Sequence, residues 1–110
     1  MIRISVYQDS GGRFSGFDLS GHAEYADSGS DIVCAAVSAL VITTINAVET
    51  LTGEQFTNSA DEEEGTIHFR FLTFGHDSQL LIQAMLLGLG EMENSYSQYI
   101  DLIYEEVQET

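Results

Sequence analysis

One stretch of the 110-residue chain places residue types for covalent chemistry at close spacing: Gly21 to Ser38, GHAEYADSGSDIVCAAVS. It holds the sole cysteine, Cys34, and one of three histidines, His22, twelve residues earlier. A free thiol with a pKa of about 8.5 is only a few per cent thiolate at neutral pH. A histidine beside it takes the proton and later returns it to a leaving group, the pairing used in nucleophilic acyl transfer. The sequence offers a second aid. Cys34 is expected in the first turn of a long helix, where unpaired N–H groups and the positive end of the helix dipole favour the thiolate. His22 is expected to leave a strand just before a glycine-flanked loop that can fold the imidazole back to the sulfur.

The neighbours fit such a site. Ser38 lies four residues after Cys34, on the same helix face one turn on, so its hydroxyl can reach the thiol or another site group. Asp31, three residues before Cys34, can cap the helix or orient His22. Close to sulfur its charge would raise the thiol pKa, so the useful geometry directs Asp31 toward His22 or the backbone. Gly21 and Gly29 flank the loop as hinges. Each residue also has an ordinary reading. Cys34 is then packing within the apolar VCAAVSALVI, and His22 a loop residue. Ser38 bonds its own backbone, Asp31 is a plain cap, and the glycines are turn residues. His68 and His76 are expected to have no catalytic role. One cysteine and three scattered histidines do not offer the three or four ligands of a zinc site, so neither metal nor cofactor is expected.

Composition narrows the partners. Eighteen Asp and Glu stand against three arginines and no lysine, a net charge of −15. Such a chain repels phosphate, which argues against direct nucleic-acid binding through a basic patch. An anionic lipid surface is equally disfavoured, and a basic partner is favoured. At 44% hydrophobic residues the chain is globular rather than disordered, and its length suits one domain spanning residues 1–110. A single cysteine excludes an intramolecular disulfide framework and points to a reducing compartment. MIRISVYQ has no long apolar stretch behind its basic residue, so no secretory signal is expected. The apolar run Val33 to Ile42 is short of the roughly 20 residues that span a bilayer. The expectation is a cytosolic, bacterial-type domain.

The positioning elements follow from periodicity. Ile2, Ile4 and Val6 alternate with polar residues as in a half-buried strand. Asp9-Ser10-Gly11-Gly12 is turn chemistry, and Arg13 to Leu19 completes a hairpin. Glu24 to Ser30 reads as loop. A long helix then starts at a Ser30 or Asp31 cap. It carries Val33, Val37, Leu40, Val41, Thr44, Ile45, Val48 and Leu51 as its apolar stripe, and Gly53 ends it in a left-handed conformation. Gln55 to Ala60 and Thr66 to Phe74 form a second hairpin around the acidic turn Asp61-Glu62-Glu63-Glu64-Gly65, which reads as solvated. Asp77 or Ser78 caps a second helix with Leu80, Leu81, Ala84, Met85, Leu87 and Leu89 on its apolar side. Gly88 and Gly90 weaken that helix or allow close packing. Tyr99 to Val107 suits either a strand or a helix, and the richness in Tyr, Ile and Val favours a strand. The sum is an α+β fold in ββαββαβ order, two helices packed on a mainly antiparallel sheet.

Gly21-His22-Ala23, followed by Gly29-Ser30-Asp31-Ile32-Val33-Cys34-Ala35-Ala36-Val37-Ser38-Ala39-Leu40, closely resembles the ribosomal-processing cysteine protease family called Prp. The preceding strand and the ββαββαβ order agree with it. The resemblance implies a Cys–His endopeptidase with Cys34 as nucleophile and His22 as general base, then acid. Asp31 and Ser38 match family positions that support the site. The implied substrate is the N-terminal extension of the bacterial large-subunit ribosomal protein numbered twenty-seven, removed after an aromatic residue. A homodimer and a mobile loop over the site, here Ala23 to Ser30, are also implied. The rival reading is a non-enzymatic dimeric module that chaperones a basic ribosomal protein, with Cys34 buried. A peroxide-reducing thiol protein is weaker, since the chain has no resolving cysteine.

Overall fold

The computed structural model describes residues 1–21 and 28–108, and of residues 28–31 the backbone only. Strands β1 (Ile2–Gln8) and β2 (Phe14–Ser20) form the first hairpin. Its turn is held by Asp9, whose Oδ1 accepts the N–H groups of Gly11 and Arg13, each at 2.9 Å. β3 (Phe56–Asp61) and β4 (Thr66–Phe71) form the second hairpin, with the acidic turn exposed as expected. The ambiguous tail is a strand, β5 (Ile100–Glu106). The sheet order is β3-β4-β2-β1-β5, antiparallel throughout except for the parallel β1–β5 pair. The order ββαββαβ and the α+β class stand as read from the sequence.

Side-chain alternation sends Ile2, Ile4 and Val6 to one face, where Phe17, Leu19, Phe69, Phe71 and Ile100 join them in the core. Phe69 stacks on Phe17 at 5.1 Å and on Phe56 at 4.9 Å, which ties three strands together. Helices α1 (Ser28–Leu51) and α2 (His76–Ser95) supply the rest of that core. Edge strand β5 is covered in part by α2, because Glu93 accepts the Leu102 N–H at 2.7 Å.

The stripe of α1 is buried at Val33, Val37, Val41, Thr44, Ile45 and Val48, and Leu51 falls outside it, exposed. By length and composition α1 is apolar enough to cross a bilayer. Its stripe packs onto the sheet instead. The helix starts at Ser28, ahead of the expected Ser30 or Asp31 cap. Gly29 is therefore helical rather than a loop hinge, and the expected Ala23–Ser30 loop loses residues 28–30. Its residues 23–27 lie outside the described residues. At the other end Gly53 is not left-handed; the positive-φ glycines among the described residues are Gly12, Gly21 and Gly65. Thr52 closes the helix, its N–H and its hydroxyl both donating to the Val48 carbonyl.

The cap of α2 is also corrected. It is Gly75, two residues before Asp77. Glu54 takes over the capping role from a distant position. It accepts the Gly75 N–H, the Thr73 hydroxyl and, at 2.8 Å, the Ser78 hydroxyl. Ser78 is fully buried, and this anchor sets the rotation of α2. Ser78, Ile82, Met85 and Leu89 then face inward at helical spacing, which turns Leu80 and Leu87 out to solvent, contrary to expectation. Of the two late glycines, Gly88 allows close packing, since a Cβ there would come within 2.7 Å of Leu40 Cδ2. Gly90 faces open space.

Glu54 is held below its ordinary carboxylate pKa by hydrogen bonds from Thr73, Ser78 and Gly75, against an opposing effect of desolvation. A depressed folded-state pKa stabilises above the unfolded value, and the stabilisation fades as pH falls through the folded value. Glu54→Gln is expected to lower the melting temperature at neutral pH. The gap to the parent should close as the pH drops into the acid range. A gap that is constant with pH would contradict this role for the carboxylate.

Candidate active site

Along α1, Cys34, Ser38, Ile42 and Asn46 follow one another at four-residue intervals, so they form a single ridge. The ridge borders a pocket of about 330 Å³. Ala60 and Ile67 of the second hairpin, with Leu19 and Ile2, make its apolar floor, and Val37 and Ile45 line it from α1. Asp61, Glu62, Gly65 and Thr66 contribute the hairpin-turn side, and Asn58 of β3 lies with Asn46 in the lining. β3, which supplies Asn58, Ala60 and Asp61 to the lining, is exposed along nearly its whole length, so the pocket is an open groove. From Cys34 to Asn46 the helix rises about 18 Å. That length matches about five to six residues of extended peptide.

Cys34 is half-buried, packed against the core and open to the groove. It thus joins both of its readings, apolar packing and an accessible thiol. It does not lie in the first turn. Counting from Ser28 it is the seventh residue of α1, in the second turn.

Ser38 lines the groove one turn beyond Cys34. Thr44 and Thr52 donate their hydroxyls to carbonyls four residues back, at 2.8 and 2.6 Å. Ser38 does not make the corresponding bond to Cys34. Gly21 lines the groove as well. Its φ is +108°, and a Cβ there would collide with the Met1 carbonyl oxygen, so only glycine fits. Asp31 belongs to α1, but its side chain, like the whole of His22, lies outside the described residues. The structure therefore gathers Gly21, Cys34 and Ser38 on one groove.

The other two histidines are elsewhere. His76 is exposed at the start of α2, 3.1 Å from Asp77. His68 lies on the open face of the sheet, opposite the helices, 2.9 Å from Asp18. Arg70 donates to both Asp18 oxygens and stacks over Tyr7, whose hydroxyl also donates to Asp18 at 2.7 Å. Burial alone would raise the Asp18 carboxyl. Hydrogen bonds with Arg70, Tyr7 and His68 outweigh it and hold the group well below the usual carboxylate range. Among the described residues no group of three His, Cys, Asp or Glu side chains converges as a metal site would require.

Sequence reasoning missed the far part of the groove. Ile42 and Asn46 extend the Cys34–Ser38 spacing and were within reach of a helical reading. Asn58, Asp61 and Glu62 join through hairpin packing, which leaves no local signal.

Comparison with known proteins places the groove in context. The sequence profile of the family described as Cysteine protease Prp matches residues 1–101. The ribosomal processing cysteine protease Prp of Staphylococcus aureus is 33% identical over 106 residues, 96% of this chain and all of that protein. The Bacillus subtilis protein of the same name is 32% identical over 101 residues, 87% of this chain and 90% of that one. Two S. aureus crystal structures share the fold over 96% of this chain and the whole of theirs. One holds a substrate peptide, with a TM-score of 0.89 at 32% identity. The other holds a covalently linked product peptide, with a TM-score of 0.87 at 33% identity.

Proposed function

The chain belongs to the cysteine protease Prp family, and we propose that Cys34 and His22 form its catalytic dyad, acting on the N-terminal extension of a ribosomal protein. The observation that carries this reading is the half-buried Cys34 beside a groove with the dimensions of an extended peptide. The enzyme class itself is a cysteine protease, so the reading as a non-enzymatic chaperone gives way.

The Cys34 thiolate attacks the scissile carbonyl, and the amine leaves with a proton from His22. Water then releases the acyl enzyme. The covalently linked product peptide of the S. aureus relative supports a covalent step. His22 follows Gly21 directly in the chain, and Gly21 lines the groove with Cys34. The imidazole of His22 is assigned the activation of the thiol. Ser38, with no bond to the Cys34 carbonyl, keeps its hydroxyl for the thiol or for a substrate carbonyl. Asp31 is assigned to orienting His22. The substrate assigned is the large-subunit ribosomal protein numbered twenty-seven, cut after an aromatic residue that the apolar groove accepts.

The three arginines are each paired with a carboxylate: Arg3 with Asp101, Arg13 with Asp9 and Arg70 with Asp18. That pairing supports the absence of direct nucleic-acid binding and an attraction for a basic ribosomal protein in the cytoplasm. A homodimer is assigned from the outer face of α1. Over Ile32–Leu51 that helix has a mean hydropathy of 1.9 and is only 33% buried, with Ile32 64% exposed.

Cys34→Ala and His22→Ala are each expected to abolish cleavage of an extension peptide while the melting curve stays intact. Ser38→Ala should lower kcat about tenfold, the scale of one lost hydrogen bond. In the parent kcat/KM should rise with pH through the histidine range, about 6–7. Undiminished cleavage by Cys34→Ala would sink the mechanism. Cleavage of the full ribosomal protein should slow with added salt more steeply than cleavage of a short neutral peptide; equal slopes would remove the electrostatic attraction. Light scattering should report the mass of two chains, and Ile32→Glu should shift it toward one; a parent that is monomeric at all concentrations would exclude the dimer.

A further inference from the structure

The far end of the groove differs in chemistry from the rest. Beyond Ser38, which follows Cys34 on the ridge, the lining before that end is Val37, Ile42, Ile45 and Ile67, whose side chains form no hydrogen bonds. At the end of the ridge stands the carboxamide of Asn46 on α1, and a second carboxamide, Asn58 on β3, lines the same groove. An extended peptide laid on the apolar lining loses water from its main-chain N–H and C=O groups without replacement, which is costly. A carboxamide carries one acceptor oxygen and two donor hydrogens, the complement of a main-chain amide. The occupant follows from the setting: the groove opens at Cys34, and a protein of the same fold holds a substrate peptide.

Resting on the protease reading above, we propose that Asn46 and Asn58 form a polar subsite that clamps the substrate main chain about five to six residues from the scissile bond. The segment between is apolar and extended. The two asparagines touch no reacting atom, so they position the substrate rather than catalyse. Their effect belongs in KM, and it requires a peptide long enough to reach them. Both side chains are exposed, so their replacement does not disturb the core.

The test uses nested peptides that grow one residue at a time on each side of the scissile bond. They are assayed with the full-length parent, Asn46→Ala, Asn58→Ala, the double alanine variant and Asn46→Gln. In the parent kcat/KM should rise about tenfold, through KM, when the peptide reaches the fifth or sixth residue on one side. The double alanine variant should lose that step and Asn46→Gln should recover part of it. Short peptides should be cut equally by all five proteins. A parent that shows no length step, or a double alanine variant that keeps it, overturns the subsite while leaving the protease reading intact. A parent that cuts no peptide of any length overturns both.

Discussion

An α-helix is about 10 Å across, and strands lie about 4.8 Å apart, so one helix covers about two strands. Two helices on a five-stranded sheet leave one strand bare. Here the bare strand is β3, at the edge beside β4. The proposed site depends on that shortfall. The gap between the flank of α1 and the second hairpin is the groove, and its apolar floor is simply the part of the sheet's inner face that no helix reaches. A third helix there would bury Ala60 and Ile67 more fully and would also remove the place where a peptide can lie.

The shortfall requires the rest of the fold to be fastened firmly, because the groove wall is itself a core element. Glu54 ties the end of α1 to the start of α2 through Gly75 and Ser78, and Gly88 lets Leu40 of α1 press close to α2. On the far side of the sheet the Asp18–Arg70–Tyr7 network links β1, β2 and β4. The first set of contacts joins α1 to α2, and the Asp18 network holds together the strands that carry the groove floor.

What the sequence disclosed follows the same physics. Hydrophobic periods are local, so every strand and helix was legible, and so was the ββαββαβ order. Element ends are often settled by distant partners. Glu54 caps α2 from 21 residues away, and nothing near Gly75 announces it. Thr52 closes α1 with its own hydroxyl, so Gly53 never needs the left-handed conformation that glycine seemed to offer. Apolar character alone points Leu80 and Leu87 inward, whereas the burial of Ser78 decides the rotation. In the site, the Cys34–Ser38 pair was legible because both lie on one helix. Asn58 was not, because only the pairing of β3 with β4 brings it to the groove.

The placement of Cys34 follows from its neighbours on the helix. Val33 and Val37 are buried in the core. At about 100° per residue, a side chain next to Val33 points to the margin of the buried stripe. There it is half packed and half open to the groove. It lies in the second turn of the helix rather than the first. It gains a backbone held by hydrogen bonds on both sides, which fixes the sulfur relative to the groove. In the proposed mechanism a thiol so placed takes its aim from geometry and its charge from a neighbouring base, the division of labour that a Cys–His pair provides.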